Sequence, residues 1–486
     1  MYKDTKYYPC ACCKFGYAWF AKKGGNNVPG NLALINHTDT FFMTFDIDKQ
    51  TLNDLAIFQN NNSRQSIYSL FNNTSTIGGN EALHHMFNQP LIDPVQIRDR
   101  IDVFLYLGKH DNKISFNRND YDFVEFYLKK HYHVKPLSVI TRFIEKAIYA
   151  LKFNNSDYYI IQTGIASTLS ILGSLIKFAD ALQDDLPKKM QEFRSAIINT
   201  FDQHELTWLK QLINKTRLNT TDIARADHFF RQIAYDRMKL LLAIAYQLDV
   251  YQSVSASGKA LGFTFPVVNE ANAKALIIEG LFHPFIADAK SNDIEFSPDK
   301  NISFITGTNM AGKSSLLKSI GIAIYLSQIG FPVPAKNMAT PIFKGLITTI
   351  NLADDIELGH SHFYKEVLRV KQVAETLNQS TNIFVIFDEL FRGTNVKDAY
   401  DASLAIIAAF AAVKSCFFAV STHIVEVAHE LSSVENINFS YMETIFEDTN
   451  PVNTYKLREG ITEERLGMWI VKNEGILEII KNALKQ

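Results

Sequence analysis

The stretch Ile302-Ser303-Phe304-Ile305-Thr306-Gly307-Thr308-Asn309-Met310-Ala311-Gly312-Lys313-Ser314-Ser315 decides how the second half of this chain is read. A strand-like apolar run enters it, a glycine-bounded turn follows, and a helix-like run continues from Ser315 to Ile329. Gly307 to Ser314 fit G-x-x-x-x-G-K-[ST], a pattern that gains meaning from this strand–turn–helix setting. The glycines let the backbone curl so that successive N–H groups face one anion. The helix that follows points its positive end at the same place. Lys313 would then reach the β- and γ-phosphates of a nucleotide, and Ser314 would offer its hydroxyl oxygen to Mg2+. Without the flanking runs, the same residues would be an ordinary turn with a surface lysine.

Downstream, Ile383-Phe384-Val385-Ile386-Phe387-Asp388-Glu389 is an apolar run ending in two acids. Continuous apolar runs of this length read as strands buried on both faces, the habit of parallel sheets. Such a strand carries its acids to the C-terminal edge of the sheet, where ligands of these folds bind. Asp388 is the candidate to hold Mg2+ beside Ser314. Glu389 is the candidate base, or water-positioning group, for attack on a γ-phosphate. An Asp-Glu pair alone is also a common solvated strand end; it is the glycine loop upstream that gives it chemistry. Phe417-Phe418-Ala419-Val420-Ser421-Thr422 then brings His423 to a neighbouring strand end. A lone histidine there is more often structural, but its order after Asp388-Glu389 favours a phosphate-sensing or water-orienting role.

Working outward, short β-rich runs alternate with helical ones after about Gly262: Ala275–Ile278, Ile302–Thr306, Leu346–Ile350, Ile383–Phe387 and Cys416–Ser421. Residues 261–486 therefore read as an α/β domain with a largely parallel sheet. Residues 43–260 read as mainly helical. Arg142 to Leu151, Ala181 to Asn199 and Ile223 to Tyr251 carry apolar residues at three- and four-residue spacing among charges. Residues 1–42 differ from both, with Cys10, Cys12, Cys13, a Gly24-Gly25-Asn26-Asn27 run and no clear period. Either Met43 is the biological start or this stretch is a loosely packed arm.

The formal net charge of −2 over 486 residues excludes a bulk polycation. Any nucleic-acid contact must use a local basic surface. Lys129-Lys130-His131 and Lys210 to Arg217 are candidates, each also readable as a solvated helix face. The four cysteines form no disulfide framework, which points to the cytoplasm. The crowded Cys10, Cys12 and Cys13 lack the histidine or second cysteine pair of a metal site. No secretory leader is convincing. The longest apolar stretch, Tyr158 to Leu182, contains Gln162, Thr163 and Lys177, so a core helix is expected there and no membrane span.

At these residues the sequence resembles the MutS mismatch-repair family. Thr306-Gly307-Thr308-Asn309-Met310-Ala311-Gly312-Lys313-Ser314-Ser315 is similar to its phosphate loop, including the Asn-Met pair, and Gln328-Ile329-Gly330-Phe331-Pro332-Val333-Pro334-Ala335 to the segment that follows. Asp388-Glu389-Leu390-Phe391-Arg392-Gly393-Thr394-Asn395 resembles its Walker-B run, and Ser421-Thr422-His423 its Ala-Thr-His. Gly359-His360-Ser361-His362-Phe363-Tyr364-Lys365-Glu366 resembles its signature loop. More weakly, Asp48, Thr51, Leu55 and Ile57, then Thr74 to Gly79, and Ile97 with Arg100 fit its helical core.

The resemblance implies an α/β P-loop NTPase domain of the ABC type, C-terminal to a mainly α-helical core and lever domain. It implies ATP and Mg2+ as cofactors. Gly307, Thr308, Asn309, Met310, Ala311, Gly312, Lys313, Ser314 and Ser315 would hold the nucleotide, Ser314 and Asp388 the metal, and Glu389, His423 and Lys313 the catalysis. It further implies that Ser361 caps the γ-phosphate bound by the other subunit, so that the site needs a homodimer. Double-stranded or structured DNA would be the main partner, with repair or recombination proteins beside it. Three departures narrow this. Nothing before Met43 resembles the family's mismatch-reading domain with its Phe-x-Glu element, so mismatch recognition is not expected. Ala289 stands near where an adenine-stacking aromatic residue is expected, before the matching Asn292-Asp293, and Ala399 replaces a glycine after Asp398. A binder of branched DNA without repair activity and an ATP-switched assembly module with no DNA role remain the other readings.

Overall fold

A computed structural model describes residues 44–59, 65–110, 113–129, 155–182, 185–268, 274–308, 310–350, 362–391, 393–447, 450–462, 473–476 and 479–480. Met1–Phe42, with its cysteines, lies outside these residues; so do Arg142 to Leu151.

The first part of the described chain is helical, and local signals set where helices begin. Thr76 caps Ile77–Asn88 by accepting the Gly79 N–H, and Asp93 caps Pro94–Lys109, with proline at a first-turn position where no N–H is needed. Asp202 with Glu205, and Asn219 with Asp222, form reciprocal capping boxes on Gln203–Ile213 and Thr220–His228. The apolar stretch expected as a core helix is one, Asn155–Ala181. It is long and apolar enough to cross a membrane, yet Ile161, Ile165, Leu172, Leu175 and Ala179 are buried among the neighbouring helices.

Two of the expected helical runs are broken. Ala181 to Asn199 is interrupted, and the next helix, Lys188–Asn199, starts directly after Pro187. Proline lacks an N–H and turns its predecessor away from helical geometry. Ile223 to Tyr251 is interrupted by a π-turn at Phe229–Ile233, after which Tyr235–Ala260 continues. The turn carries the buried Arg231, which pairs with Asp227 and lies over the Tyr127 ring. Tyr127 donates its hydroxyl to the same carboxylate at 2.8 Å.

Among the described residues, eleven strands follow the chain order: β1 Asp46–Ile47, β2 Val267–Val268, β3 Leu276–Leu281, β4 Asn292–Phe296, β5 Ile302–Thr306, β6 Asn337–Thr340, β7 Gly345–Thr349, β8 Ile383–Asp388, β9 Phe417–Ser421, β10 Ile437–Glu447 and β11 Asn450–Glu459. They form a seven-stranded sheet in the order β1-β7-β8-β9-β5-β10-β11 and a four-stranded sheet in the order β2-β6-β3-β4. In the larger sheet every pairing is parallel except β10 with β11. The fold is thus mixed α/β with a helical core. β1 joins this sheet from the far end of the sequence, before the helices begin, a pairing that two residues give no pattern to reveal.

Alternation along the strands shows why the central runs are apolar throughout. Phe384 and Ile386 of β8 and Phe417 and Ala419 of β9 pack on one face, with the helix Lys313–Gln328. Ile383, Val385 and Phe387, with Phe418 and Val420, pack on the other, against His362–Gln379, Val396–Ala411 and Val425–Glu430. A strand covered on both faces has little room for a polar side chain until it reaches the sheet edge.

The helical part is drawn together by close contacts of Tyr235–Ala260. Asp249 is buried and accepts the N–H groups of Ser75 and Thr76 and the Thr76 hydroxyl, the last at 2.7 Å. Gly78 sits where a Cβ would stand 2.4 Å from the Tyr246 ring, and that ring is pinned by its hydroxyl, which donates to Glu125 at 2.6 Å. Gly78→Ala is expected to lower stability by about 1–3 kcal/mol, because the ring cannot yield without losing its bond. Chemical denaturation of the two proteins checks this; an unchanged midpoint would mean that the helices separate freely here.

Candidate active site

Parallel strands end together, so β5, β8 and β9 deliver their C-terminal residues to one edge. The order β8-β9-β5 sets Asp388 opposite Ser421, and Ile305, just before the glycine loop, opposite Ser421 from the other side. Everything the sequence marks as chemical in these strands meets there.

The loop is built as its composition suggests. Gly307 and Gly312 have φ of 140° and 102°, values that a side chain disfavours. Gly312 caps the helix Lys313–Gln328 without any side-chain hydrogen bond, so the first N–H groups of that helix face the loop uncovered by a cap. That is the arrangement that receives anions. The Lys313 side chain is buried and donates to the carbonyls of Gly307 at 2.7 Å and Thr308 at 3.1 Å. Its ammonium lies 4.0 Å from Glu389 Oε1. Ala311 and Met310 belong to the same turn and Ser315 to the start of the helix; Met310 is exposed at the rim, with a left-handed φ of 69°.

Asp388 is the hub. Its Oδ2 accepts the Ser314 hydroxyl at 2.5 Å, and its Oδ1 accepts the Ser421 hydroxyl at 2.5 Å. Glu389 follows in a left-handed backbone with φ 59°, its N–H donating to the Ser421 carbonyl at 3.0 Å. A non-glycine residue in this region costs of order 1–3 kcal/mol and persists only where the surroundings enforce it. Here the kink turns the carboxylate off the strand axis, between Lys313 and His423. His423 Nδ1 lies 3.4 Å from Glu389 Oε2, and its ring is half exposed. The buried Glu366 side chain accepts the Gly393 N–H at 3.3 Å and so fastens the turn that leaves Glu389.

Beside the loop opens a cleft of about 660 Å³, lined by Leu281, His283, Ile286, Gly312, Ser315 and Tyr455 among others. Burial, helped by Lys318, pushes the His283 imidazole down to about 4, so it is neutral near pH 7. Tyr455 lies against Gly312, and its carbonyl accepts from Asn292 at 3.0 Å. Asn292 therefore ties β4 to β11, while Asp293 accepts the Gly280 N–H at 2.7 Å. Ala289 also lines the cleft.

The site residues read from sequence divide clearly. Gly307, Thr308, Gly312, Lys313, Ser314, Asp388, Glu389 and His423 come together at one edge. Asn309 and Ser361 lie outside the described residues. Of the basic stretches, Lys129 pairs with Glu125, Lys210 with Asp180 and Lys215 with Asp222, while Lys130 and His131 lie outside the described residues. Sequence reading missed Ser421 as a partner of Asp388, and Tyr455 and His283 as cleft residues. The only signal for the first was a serine where the resemblance expects alanine.

The donor set fits the implied groups. A hydroxyl and a carboxylate oxygen side by side suit a hard, oxygen-seeking divalent cation. The uncapped helix start with a buried lysine suits a polyphosphate.

Comparison with known proteins gives the same direction. MutS domain III matches residues 50–255, and MutS domain V matches residues 303–486. The DNA mismatch repair protein MutS of Petrotoga mobilis is 30% identical over 254 residues, 51% of this chain and 31% of that protein. The DNA mismatch repair protein MSH3 of Candida glabrata is 29% identical over 262 residues, 51% of this chain and 25% of its own length. MSH3 of Saccharomyces cerevisiae is 26% identical over 380 residues, 74% of this chain and 35% of that protein. The chain thus spans only between a quarter and about a third of the length of these curated relatives. With domain III and domain V matched in order along most of its length, the chain belongs to the MutS family.

Proposed function

We propose that this chain is a Mg2+-dependent ATPase of the P-loop, ABC type, acting as a homodimer whose nucleotide state controls its hold on DNA. The observation that carries the ATPase reading is the shared carboxylate of Asp388, bonded to Ser314 of the glycine loop with Glu389 and Lys313 beside it. Ser314 and Asp388 would hold Mg2+, which supplies charge neutralisation at the phosphate oxygens. Lys313 leaves the Gly307 and Thr308 carbonyls to meet the β- and γ-phosphates. Glu389 takes the proton of the attacking water as the new P–O bond forms and the bond to the ADP oxygen breaks. His423, against Glu389, orients that carboxylate and the water. The cleft beside the loop would receive the nucleoside, with Tyr455 and His283 offering ring faces that Ala289 does not.

The DNA reading rests on the three relatives, each a DNA mismatch repair protein. The dimer rests on Ser361, which the resemblance has completing the partner's site. Repair or recombination proteins would be the further partners.

Lys313→Ala is expected to abolish ATP binding in equilibrium dialysis. Glu389→Gln is expected to bind ATP normally and to release phosphate about 10²–10⁴-fold more slowly. Normal turnover by Glu389→Gln would remove Glu389 as the base. For the dimer, mixing a Ser361→Ala subunit with a Lys313→Ala subunit should restore one working composite site, measured as ATPase activity above either variant alone; no recovery counts against sharing between subunits. For DNA, gel binding of homoduplex, mismatched and four-way-junction DNA with and without ATP is expected to show an affinity that ATP changes. Failure to bind any of them would leave an ATP-switched assembly module.

A further inference from the structure

The strand next to the carboxylates is held by the helical region. β7 pairs with β8 so that Thr349 stands opposite Phe387, one residue before Asp388. The first helix of the helical region, Lys49–Asp54, lies on that strand end. Its Thr51 hydroxyl oxygen accepts the Thr348 N–H at 2.9 Å. Its Asp54 carboxylate accepts the Thr348 hydroxyl at 2.7 Å and the Ile350 N–H at 3.0 Å. Thr51, Asp54 and Thr348 are all buried.

Arg369, 7% exposed, completes the joint from a third element, the helix His362–Gln379. One guanidinium nitrogen donates to Asp48, the N-cap of Lys49–Asp54. Another donates to the Thr348 carbonyl at 2.7 Å, and Nε donates to the Thr349 hydroxyl at 3.3 Å. Asp48 also accepts the Thr51 N–H at 2.8 Å. Burial raises its carboxyl, but Arg369 and the Thr51 N–H outweigh that and hold it below the usual range, so it is charged near pH 7. Three residues before Arg369, one turn back on the same face, Glu366 grips Gly393 in the turn after Glu389.

A many-bonded ion pair whose guanidinium is buried is a poor way to gain stability, because apolar side chains of the same volume often do as well or better. It is a good way to fix geometry, since a planar fork tolerates little misalignment of its partners. Here the fork joins the turn behind the candidate base, through one rigid helix, to the first helix of the helical region. We propose that Arg369, through Asp48, is the positioning residue that passes the nucleotide state of the Asp388-Glu389 edge to the helical region. This rests on the ATPase reading above.

The test is hydrogen exchange on the full chain, with and without ATP and Mg2+, in wild type, Arg369→Met, the double variant Asp48→Leu/Arg369→Met, and Arg369→Lys. The double variant removes both charges together, so a folding defect from one stranded charge does not decide the outcome. In wild type, ATP is expected to change exchange in Lys49–Asp54 and in Tyr235–Ala260. In the double variant that response should fall by about fivefold or more, while ATP affinity from a direct binding titration stays near wild type. Arg369→Lys, which keeps the charge and loses the fork, should lie between. A double variant that binds ATP and transmits the full response overturns the proposal. So does a wild type that binds ATP while its helical region is unaltered, which leaves the ATPase reading standing. A wild type that does not bind ATP overturns that reading, and the proposal with it.

Discussion

The Asp388 carboxylate accepts one hydroxyl from the glycine loop and one from the end of β9, and the candidate site is assembled around that pair of bonds. A parallel sheet covered on both faces confines polar chemistry to its edges. Three adjacent strands then end within reach of one another, and a carboxylate on the outer one can bond across both neighbours. The same bonds fix where β8 stops. Directly after Asp388 the backbone turns left-handed at Glu389, which puts that carboxylate between a buried ammonium and a half-exposed imidazole. Local strain at Glu389 is thus enforced by the sheet, through its N–H bond to the Ser421 carbonyl.

What the sequence disclosed and what it hid follow from the range of the forces. β5, β8 and β9 were legible because burial on both faces makes a run apolar regardless of its partners. The glycine loop was legible because positive φ and a helix start each demand particular residues in a fixed order. β1 was not, since two residues carry no period and its pairing with β7 lies far away in sequence. Nor were the breaks at Pro187 and at Phe229–Ile233, because apolar spacing continues through both while the helix axis does not. Ser421, Tyr455 and Arg369 were hidden for one common reason. Each acts through a partner that only the folded chain supplies, and a serine, a tyrosine or an arginine at such places has many ordinary uses.

Among the described residues, two of the contacts between the helical region and the part that carries the larger sheet differ in their physics. At the far end of Lys313–Gln328, Arg100 donates to the Ile329 carbonyl at 2.6 Å, Leu91 N–H to the Gln328 carbonyl at 2.8 Å, and Tyr325 to the Phe87 carbonyl. Phe87, Phe331 and Phe104 pack around them. These contacts satisfy unpaired carbonyls at two helix C-termini, Lys313–Gln328 and Ile77–Asn88, inside an apolar cluster, where any separation exposes both apolar surface and polar groups. Such a contact has one good arrangement and holds it. The contact at Arg369 is different: it is ionic, lies at the reactive edge, and depends on the alignment of a fork with a helix cap and a strand end. In the proposal above, shifts of Glu389 and its following turn reach that alignment through Glu366. The two attachments lie on different helices, the packed one at the end of Lys313–Gln328 and the charged one on His362–Gln379.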